Sequence, residues 1–433
     1  MQTSYLDPFI ETLGRTALTQ IQIKKLQLML EPVLESNAFY GRKLKEAGLD
    51  NPSVIRTLDD MGLFKRLPFT TKQELSADQA ANPPYGTNLT YPRECYTRIH
   101  QTSGTTGAPL RWLDTSESWE WWGRCWAAVY TAAGVDSSDR IFFAFSFGPF
   151  IGFWSAHQGA QRIGALAIPG GGMSSFQRAK AILDHEVTVL VCTPTYSLHL
   201  AEVAEQEGID LVNSAVSTVI LAGEPGASLP ATKRRIEKVW GAKCYDHAGA
   251  TEVGAWGYEC QSQSGLHVNE GEFIAEIIDP STGEHAEQGE LVMTNLGRTG
   301  MPLIRYRTGD RVWLEKTPCQ CGRTFIRLDG GVIGRVDDVL IVRGINVFPS
   351  AIENIVRRFS EVDEFAVDVV RKGDLDEMDV RIEVREGEPE SVVTAVANEI
   401  RNALGLRVQV SDVPFGTLPR FDLKARRFTD HRK

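Results

Sequence analysis

No apolar run in this chain of 433 residues approaches the roughly 18 residues needed to cross a bilayer, because a charged or strongly polar side chain interrupts each one first. No membrane span is expected. The opening, MQTSYLDPFIETLGRT, carries acids and lacks both a basic start and an apolar core, so it does not read as a signal peptide. The expected location is the cytoplasm. Positive charge is in deficit: 46 Lys and Arg stand against 56 Asp and Glu, a net charge of −10, and no long basic stretch occurs. Neither nucleic acid nor a membrane surface is an expected partner. A polyanionic ligand would have to be held by a local basic or N–H-rich site. Cysteine is sparse and odd in number, seven in all, which argues against a disulfide framework. Cys95, Cys125, Cys192 and Cys244 are scattered, whereas Cys260, Cys319 and Cys321 share a neighbourhood with His267. Internal repeats and low-complexity tracts are missing as well.

What is present has the make-up of a globular enzyme: 42% hydrophobic, 24% charged and 9% aromatic residues. The length implies roughly two to three structural units. Residues 1–80 read as a helical cap, with helical spacing in IQIKKLQLMLEPVLES and a second helix at TTKQELSAD. From about residue 96 to 254, β-rich runs (RIFFAFSF, ALAIPGG, VTVLVCTPT, VSTVILAGE) alternate with helical stretches such as SSFQRAKAILDHE, the rhythm of βαβ units and a mostly parallel sheet. Between about 255 and 335 closely spaced β segments read as a smaller β unit, and from 337 to 433 a compact α+β unit follows.

Five segments carry candidate chemistry. In QTSGTTGAPLR, from Gln101 to Arg111, small and hydroxyl residues from Thr102 to Gly107 would let backbone N–H groups cradle phosphate oxygens; the alternative is a flexible linker. No Lys follows Gly107, so this is not the usual P-loop. In YDHAGATE, Glu252 suits an Mg²⁺ bridging phosphates, and in RYRTGDRV, Asp310 suits the two hydroxyls of a ribose. Either acid alone also reads as a turn or cap residue. The fourth segment is GRVDDVLIVRGINVFPSAIENIV, from Gly334 to Val356, and the fifth is LPRFDLKARRF near the C-terminus.

In this order and spacing the five segments resemble the adenylate-forming superfamily, in particular its phenylacetate-CoA ligase branch, to which RGINVFPSAIE, LPFTTKQEL and CQCGR are also similar. The resemblance spans the whole chain. It implies an α/β fold with a large N-terminal adenylate-forming domain, 1–336, and a small mobile α+β lid, 337–433. It further implies that Thr102, Ser103, Gly104, Thr105, Thr106 and Gly107 hold the ATP phosphates. Gly223, Glu224, Pro225, Asp246, His247, Gly249 and Thr251 would line the nucleotide site, with Asp310 on the ribose, Arg335 on the nucleotide and Glu252 on Mg²⁺. Lys424 falls where the family has its adenylation lysine, although a solvated basic tail is the plain alternative given Arg420, Arg426 and Arg427. Asp337 would be the hinge, and Gly344 would leave space for the pantetheine arm of coenzyme A or simply serve a turn.

Cys260, His267, Cys319 and Cys321 form a ligand set suited to a structural Zn²⁺, with scattered buried cysteines as the alternative. SFGPFIGFW and IPGGGMSS match segments that line the aryl site in the relatives, which nominates Phe147, Gly148, Gly170, Gly171, His247 and Ala248 for the acid pocket. WEWWGRCWAAVY reads as core packing, with a place in the acid pocket as the alternative. Where relatives carry Tyr, this chain has Ala248, so a stacking partner for adenine is absent there; His247 beside it compensates, or faces the acid and accepts from an amino or hydroxyl substituent, or simply packs or serves a turn. The implied activity is an ATP-dependent acid:CoA ligase for a phenylacetate-, benzoate- or anthranilate-like acid. Delivery to a carrier protein and a non-catalytic nucleotide-binding protein remain open, and a homodimer is compatible with each.

Overall fold

The computed structural model describes residues 4–59, 62–102, 109–336, 339–343, 345–372, 375–385, 391–421 and 425–432. Ser103, Gly104, Thr105, Thr106, Gly107, Asp337, Gly344 and Lys424 lie outside them.

The N-terminal third begins with helices. In α1, Arg15–Ser36, the residues Leu18, Leu26, Met29, Leu30 and Val33 recur at helical spacing and are buried. Asn37 caps α2, Ala38–Glu46, by accepting from Tyr40 N. In α3, Lys72–Ala81, Thr71 and Glu74 close a reciprocal capping box, which fixes where the TTKQEL helix starts. A two-stranded hairpin, β1 (Tyr96–Gln101) and β2 (Arg111–Thr115), leads into α4, Ser116–Ala133. Trp119, Trp121, Trp122 and Trp126 of α4 are all buried, so this tryptophan-rich helix is core.

The βαβ rhythm then builds β3 (Arg140–Phe143), α5 (Ile151–Arg162), β4 (Leu166–Pro169), α6 (Ser175–Asp184), β5 (Val189–Cys192), α7 (Pro194–Gln206), β6 (Thr218–Ala222), α8 (Pro230–Trp240) and β7 (Lys243–Ala250). The apolar run VLVC of β5 is buried along its whole length, as a strand covered on both faces must be. β3, β4, β5, β6 and β7 are parallel, in the order β7-β6-β5-β3-β4.

At Ala250↔Gly254 the chain doubles back and pairing becomes antiparallel through β8 (Gly254–Glu259) and β9 (Leu266–Val268). The following strands are β10 (Phe273–Ile278), β11 (Gln288–Asn295), β12 (Tyr306–Glu315), β13 (Arg327–Leu328) and β14 (Gly334–Arg335). β13 sits between β9 and β12, so these antiparallel strands continue the parallel ones in a single twelve-stranded sheet among the described residues.

A second, separate apolar cluster, including Val342, Ile352, Phe365, Val380 and Ile400, forms the core of the C-terminal unit. It comprises the hairpin β15 (Leu340–Val342) and β16 (Ile345–Val347), α9 (Pro349–Val356), β17 (Val362–Lys372), β18 (Leu375–Val384), α10 (Ser391–Leu404), β19 (Gln409–Val413) and β20 (Phe428–Asp430). Its four-stranded sheet runs β19-β18-β17-β20, with β19 and β20 parallel to a central antiparallel pair.

Hydrogen bonds and ion pairs tie this unit to the larger one. Arg235 on α8 donates to Val362 O at 2.6 Å and lies 3.3 Å from Asp363. Arg420 reaches Glu202 at 3.6 Å. Arg427 is buried against Glu364 at 2.6 Å and Glu353 at 3.3 Å, with Thr195 of the larger unit at 3.4 Å. Such buried ions need several partners each to offset desolvation, and Arg427 has them.

Candidate active site

Four parallel strands, β3, β5, β6 and β7, end on the same edge of the sheet, where ligands bind in open α/β folds. The segments leaving those ends contain most of the candidate residues. After β6 come Gly223, in a left-handed conformation with φ 97°, then Glu224 and Pro225. The Glu224 carboxylate accepts from Thr195 N at the start of α7, at 2.9 Å, and from Ala425 N of the C-terminal unit, at 2.8 Å. One carboxylate thus links the sheet edge to the residue that follows Lys424.

On β7, side chains alternate between the two faces of the sheet. Asp246 is half-buried, 3.1 Å from the position a Cβ on Gly331 would take, and its N–H donates to Glu259 at 3.1 Å. Burial, and then the charge of Glu259, push the Asp246 carboxyl up to about 7. Lys233 pairs with Glu259 at 2.9 Å and opposes that shift only in part. On the other face the His247 ring is buried against Trp126 of α4, with centroids 4.2 Å apart. Burial pushes the imidazole down to about 4.

Beyond β7, the carbonyls of Thr251 and Glu252 accept from Arg298 Nη1 at 2.7 and 3.1 Å. Arg298 is held by a two-pronged bond to Asp114, both contacts 2.8 Å and both side chains fully buried. Its guanidinium also lies 5.1 Å from the Trp112 ring centre and 5.3 Å from that of Trp122. The turn that presents Glu252 is therefore fixed from below, while the Glu252 carboxylate lies 3.9 Å from Lys72 Nζ. The tie through Asp114 and Arg298 and the approach of Lys72 were not foreseen from the sequence. Asp114 and Arg298 are 184 positions apart, and neither stands in a recognisable motif.

On β12, Asp310 lies opposite Arg335 of β14, with Oδ1 and Nη1 3.2 Å apart. Arg335 also donates to Thr308 O at 3.1 Å. At the opposite end of the sheet edge, Gly170 and Gly171 follow β4 and face the Phe142–Phe147 segment. A Cβ on Gly171 would come within 3.0 Å of Phe147 Cδ2, and one on Gly170 within 2.7 Å of Phe143 O. Trp154 Nε1 donates to Gly148 O at 2.9 Å and its ring packs edge-on against Phe147. Aromatic faces thus lie against bare backbone.

Away from that edge, the donor atoms of Cys260, His267, Cys319 and Cys321 all lie within 4.8 Å of one another and the four residues are buried. Cys260 Sγ and Cys319 Sγ are 3.6 Å apart, and Cys321 Sγ is 3.5 Å from His267 Nε2. The edges of a tetrahedron built on Zn–S of about 2.3 Å and Zn–N of about 2.0 Å measure roughly 3.5 to 3.8 Å. The Cys260–Cys319 and Cys321–His267 separations match those edges. Tyr5 donates to Cys321 O at 2.5 Å, and Arg323 pairs with Glu11 at 2.6 Å, so the same corner anchors the N-terminal segment.

The AMP-binding enzyme C-terminal domain family matches residues 344–432. A phenylacetate-coenzyme A ligase of Thermus thermophilus is 33% identical over 453 residues, covering 98% of this chain and 99% of that one. The chain belongs to the phenylacetate-CoA ligase branch of the adenylate-forming enzymes. It is an AMP-forming acid:CoA ligase, which takes ATP and coenzyme A as substrates and works through an acyl-adenylate. Among solved structures, a 2-hydroxyisobutyryl-CoA ligase in its postadenylation state with 2-HIB-AMP superposes with a TM-score of 0.93 at 30% identity, over 99% of this chain and 92% of that one. The same ligase in the thioesterification state, with coenzyme A, gives 0.74 at 31% identity, over 98% and 92%. No helix among the described residues is long and apolar enough to cross a membrane.

Proposed function

We propose that this ligase activates a small aromatic acid, of the phenylacetate, benzoate or anthranilate type, between Phe147, Gly148, Gly170, Gly171, His247 and Ala248. The observation that carries this is the aromatic and glycine lining itself, with the Phe147 ring packed so closely on bare backbone that a Cβ on Gly171 would come within 3.0 Å of it, the kind of wall a flat ring stacks on. The phenylacetate ligases among the relatives favour the same class of acid.

In this reading the segment from Thr102 to Gly107 binds the phosphates, and Gly223, Glu224, Pro225, Asp246, Gly249 and Thr251 border the adenine side. Asp310 and Arg335 serve the ribose and the nucleotide, with their mutual contact exchanged for ligand contacts. Glu252 would hold Mg²⁺, which when bound neutralises phosphate charge as pyrophosphate departs. Cys260, His267, Cys319 and Cys321 would hold a Zn²⁺ that staples the N-terminal segment to the sheet. Lys424 would stabilise the charge that develops between the acid and the α-phosphate. The unit from 337 onward acts as a lid hinged at Asp337, presenting Gly344 to coenzyme A in the second half-reaction. The higher similarity to the postadenylation arrangement than to the thioesterification one supports assigning the present lid position to the first half-reaction.

Acid-dependent pyrophosphate exchange, measured over a panel of aryl and aliphatic acids and followed by thioester analysis with coenzyme A, tests the reading. Aryl acids are expected to give the highest kcat/KM. Exchange confined to aliphatic acids would refute the aromatic assignment, and exchange without thioester would point to a carrier-protein acceptor.

A further inference from the structure

We infer that the acid this enzyme prefers carries a hydrogen-bond donor, a hydroxyl or amino group, which His247 Nε2 accepts. The inference rests on the acid site proposed above. His247 and Gly249 lie on one face of β7, the face covered by Trp126 of α4. His247 Nδ1 lies 2.7 Å from Gly257 O on the neighbouring strand. A carbonyl oxygen only accepts, so Nδ1 carries the proton. Burial keeps the imidazole neutral at ordinary pH, which leaves Nε2 as a bare lone pair.

No hydrogen bond reaches that nitrogen among the described residues. A Cβ on residue 249 would lie 3.2 Å from it, 3.0 Å from Gly254 O and 3.3 Å from Ala255 Cα, and residue 249 is glycine, so the place beside the acceptor carries no side chain that would cover it. That place is at the end of β7, one turn before Glu252. The indole N–H of Trp126, in contact with the same imidazole, is buried without a partner. An acceptor that a bound acid seals from water without supplying a donor is left unpaired, at a cost of about 1 to 3 kcal/mol. A ligand that supplies the missing donor recovers that cost, whereas one presenting hydrogen or a methyl ether at the same point does not.

The test compares matched acids by pyrophosphate exchange: hydroxy- and amino-substituted benzoates and phenylacetates, their methoxy isosteres and unsubstituted parents, together with 2-hydroxyisobutyrate against isobutyrate. At least one series should favour the donor-bearing acid roughly tenfold or more in kcat/KM over its methoxy or hydrogen counterpart. In His247→Leu that ratio should fall towards one, and in His247→Gln, which keeps an acceptor, part of it should return. Each ratio is internal to one enzyme, so a general loss of activity cancels. The unaltered enzyme alone can also refute the proposal: ratios near or below one in every series overturn it, whether or not the variants fold, and a ratio unchanged in His247→Leu does the same. A donor preference confined to the aliphatic pair, with aryl acids inert, would uphold the acceptor and refute the aromatic pocket. Active aryl acids with no donor preference would do the reverse.

Discussion

Replacement of Arg235 by alanine isolates what docking of the C-terminal unit contributes to the first half-reaction. Arg235 touches none of the residues assigned to ATP, acid or metal; its bonds go to Val362 O and Asp363, across the seam between the two units. Burial, followed by repulsion from Arg357, pushes its guanidinium down to about 10, so it is charged at pH 8 and holds its place at some desolvation cost. Asp363 keeps Arg385 at 2.9 Å after the substitution, so no acid is orphaned and the loss is mainly that of the cross-seam bond. A hydrogen bond from a charged donor contributes about 1.5 to 3 kcal/mol. Partial exposure of this one places it at the low end, about 1.5 kcal/mol, or roughly tenfold in the docking equilibrium. Pyrophosphate exchange should therefore fall by up to about tenfold, while thioester formation from supplied acyl-adenylate and coenzyme A should be undiminished, because that step needs the lid elsewhere. Equal losses in both half-reactions, or an effect confined to the KM for ATP, would refute this reasoning.

Lys424→Ala should reduce pyrophosphate exchange by about a hundredfold or more, the scale of removing one preorganised charge, yet spare thioester formation from supplied adenylate; parallel loss in both assays would remove its assigned role. Cys319→Ser, or chelation, should release about one zinc per chain and lower the thermal midpoint, because the cluster anchors Tyr5 and the Arg323–Glu11 corner; metal analysis with calorimetry checks this, and an unchanged midpoint in metal-free protein would refute it. For Asp246 the folded carboxyl titrates near 7 and the unfolded one near 4 (about 3.9). The folded state therefore holds the extra proton across that interval and loses stability as pH rises through it. Asp246→Asn should accordingly raise the midpoint more at pH 8 than at pH 5, and an equal change at both would show that the carboxyl is not desolvated.

Local pattern was sufficient where a residue's role depends on its neighbours in the chain. TTKQEL marks a helix start because Thr71 and Glu74 satisfy each other's backbone within three residues, and the VLVC run declares a strand covered on both faces. Continuation of the parallel strands into β8, β9, β13 and β12 was not legible, since the two-residue strand β13 inserts between β9 and β12 through pairings that leave no periodic trace. The buried charges were least visible. Asp114 and Arg298 are separated by 184 positions and each charge taken alone reads as solvated, while the bond from Ala425 N to Glu224 spans 201 positions. His247 stands between these cases. Its place in the DHAG segment was plain, but whether it packs or binds depends on which nitrogen holds the proton. That is set by Gly257 O, a backbone acceptor on another strand that the side-chain sequence does not encode. Pocket specificity is read poorly from sequence for the same reason: the decisive partner is often a carbonyl, whose position is fixed by strand register and not by residue identity.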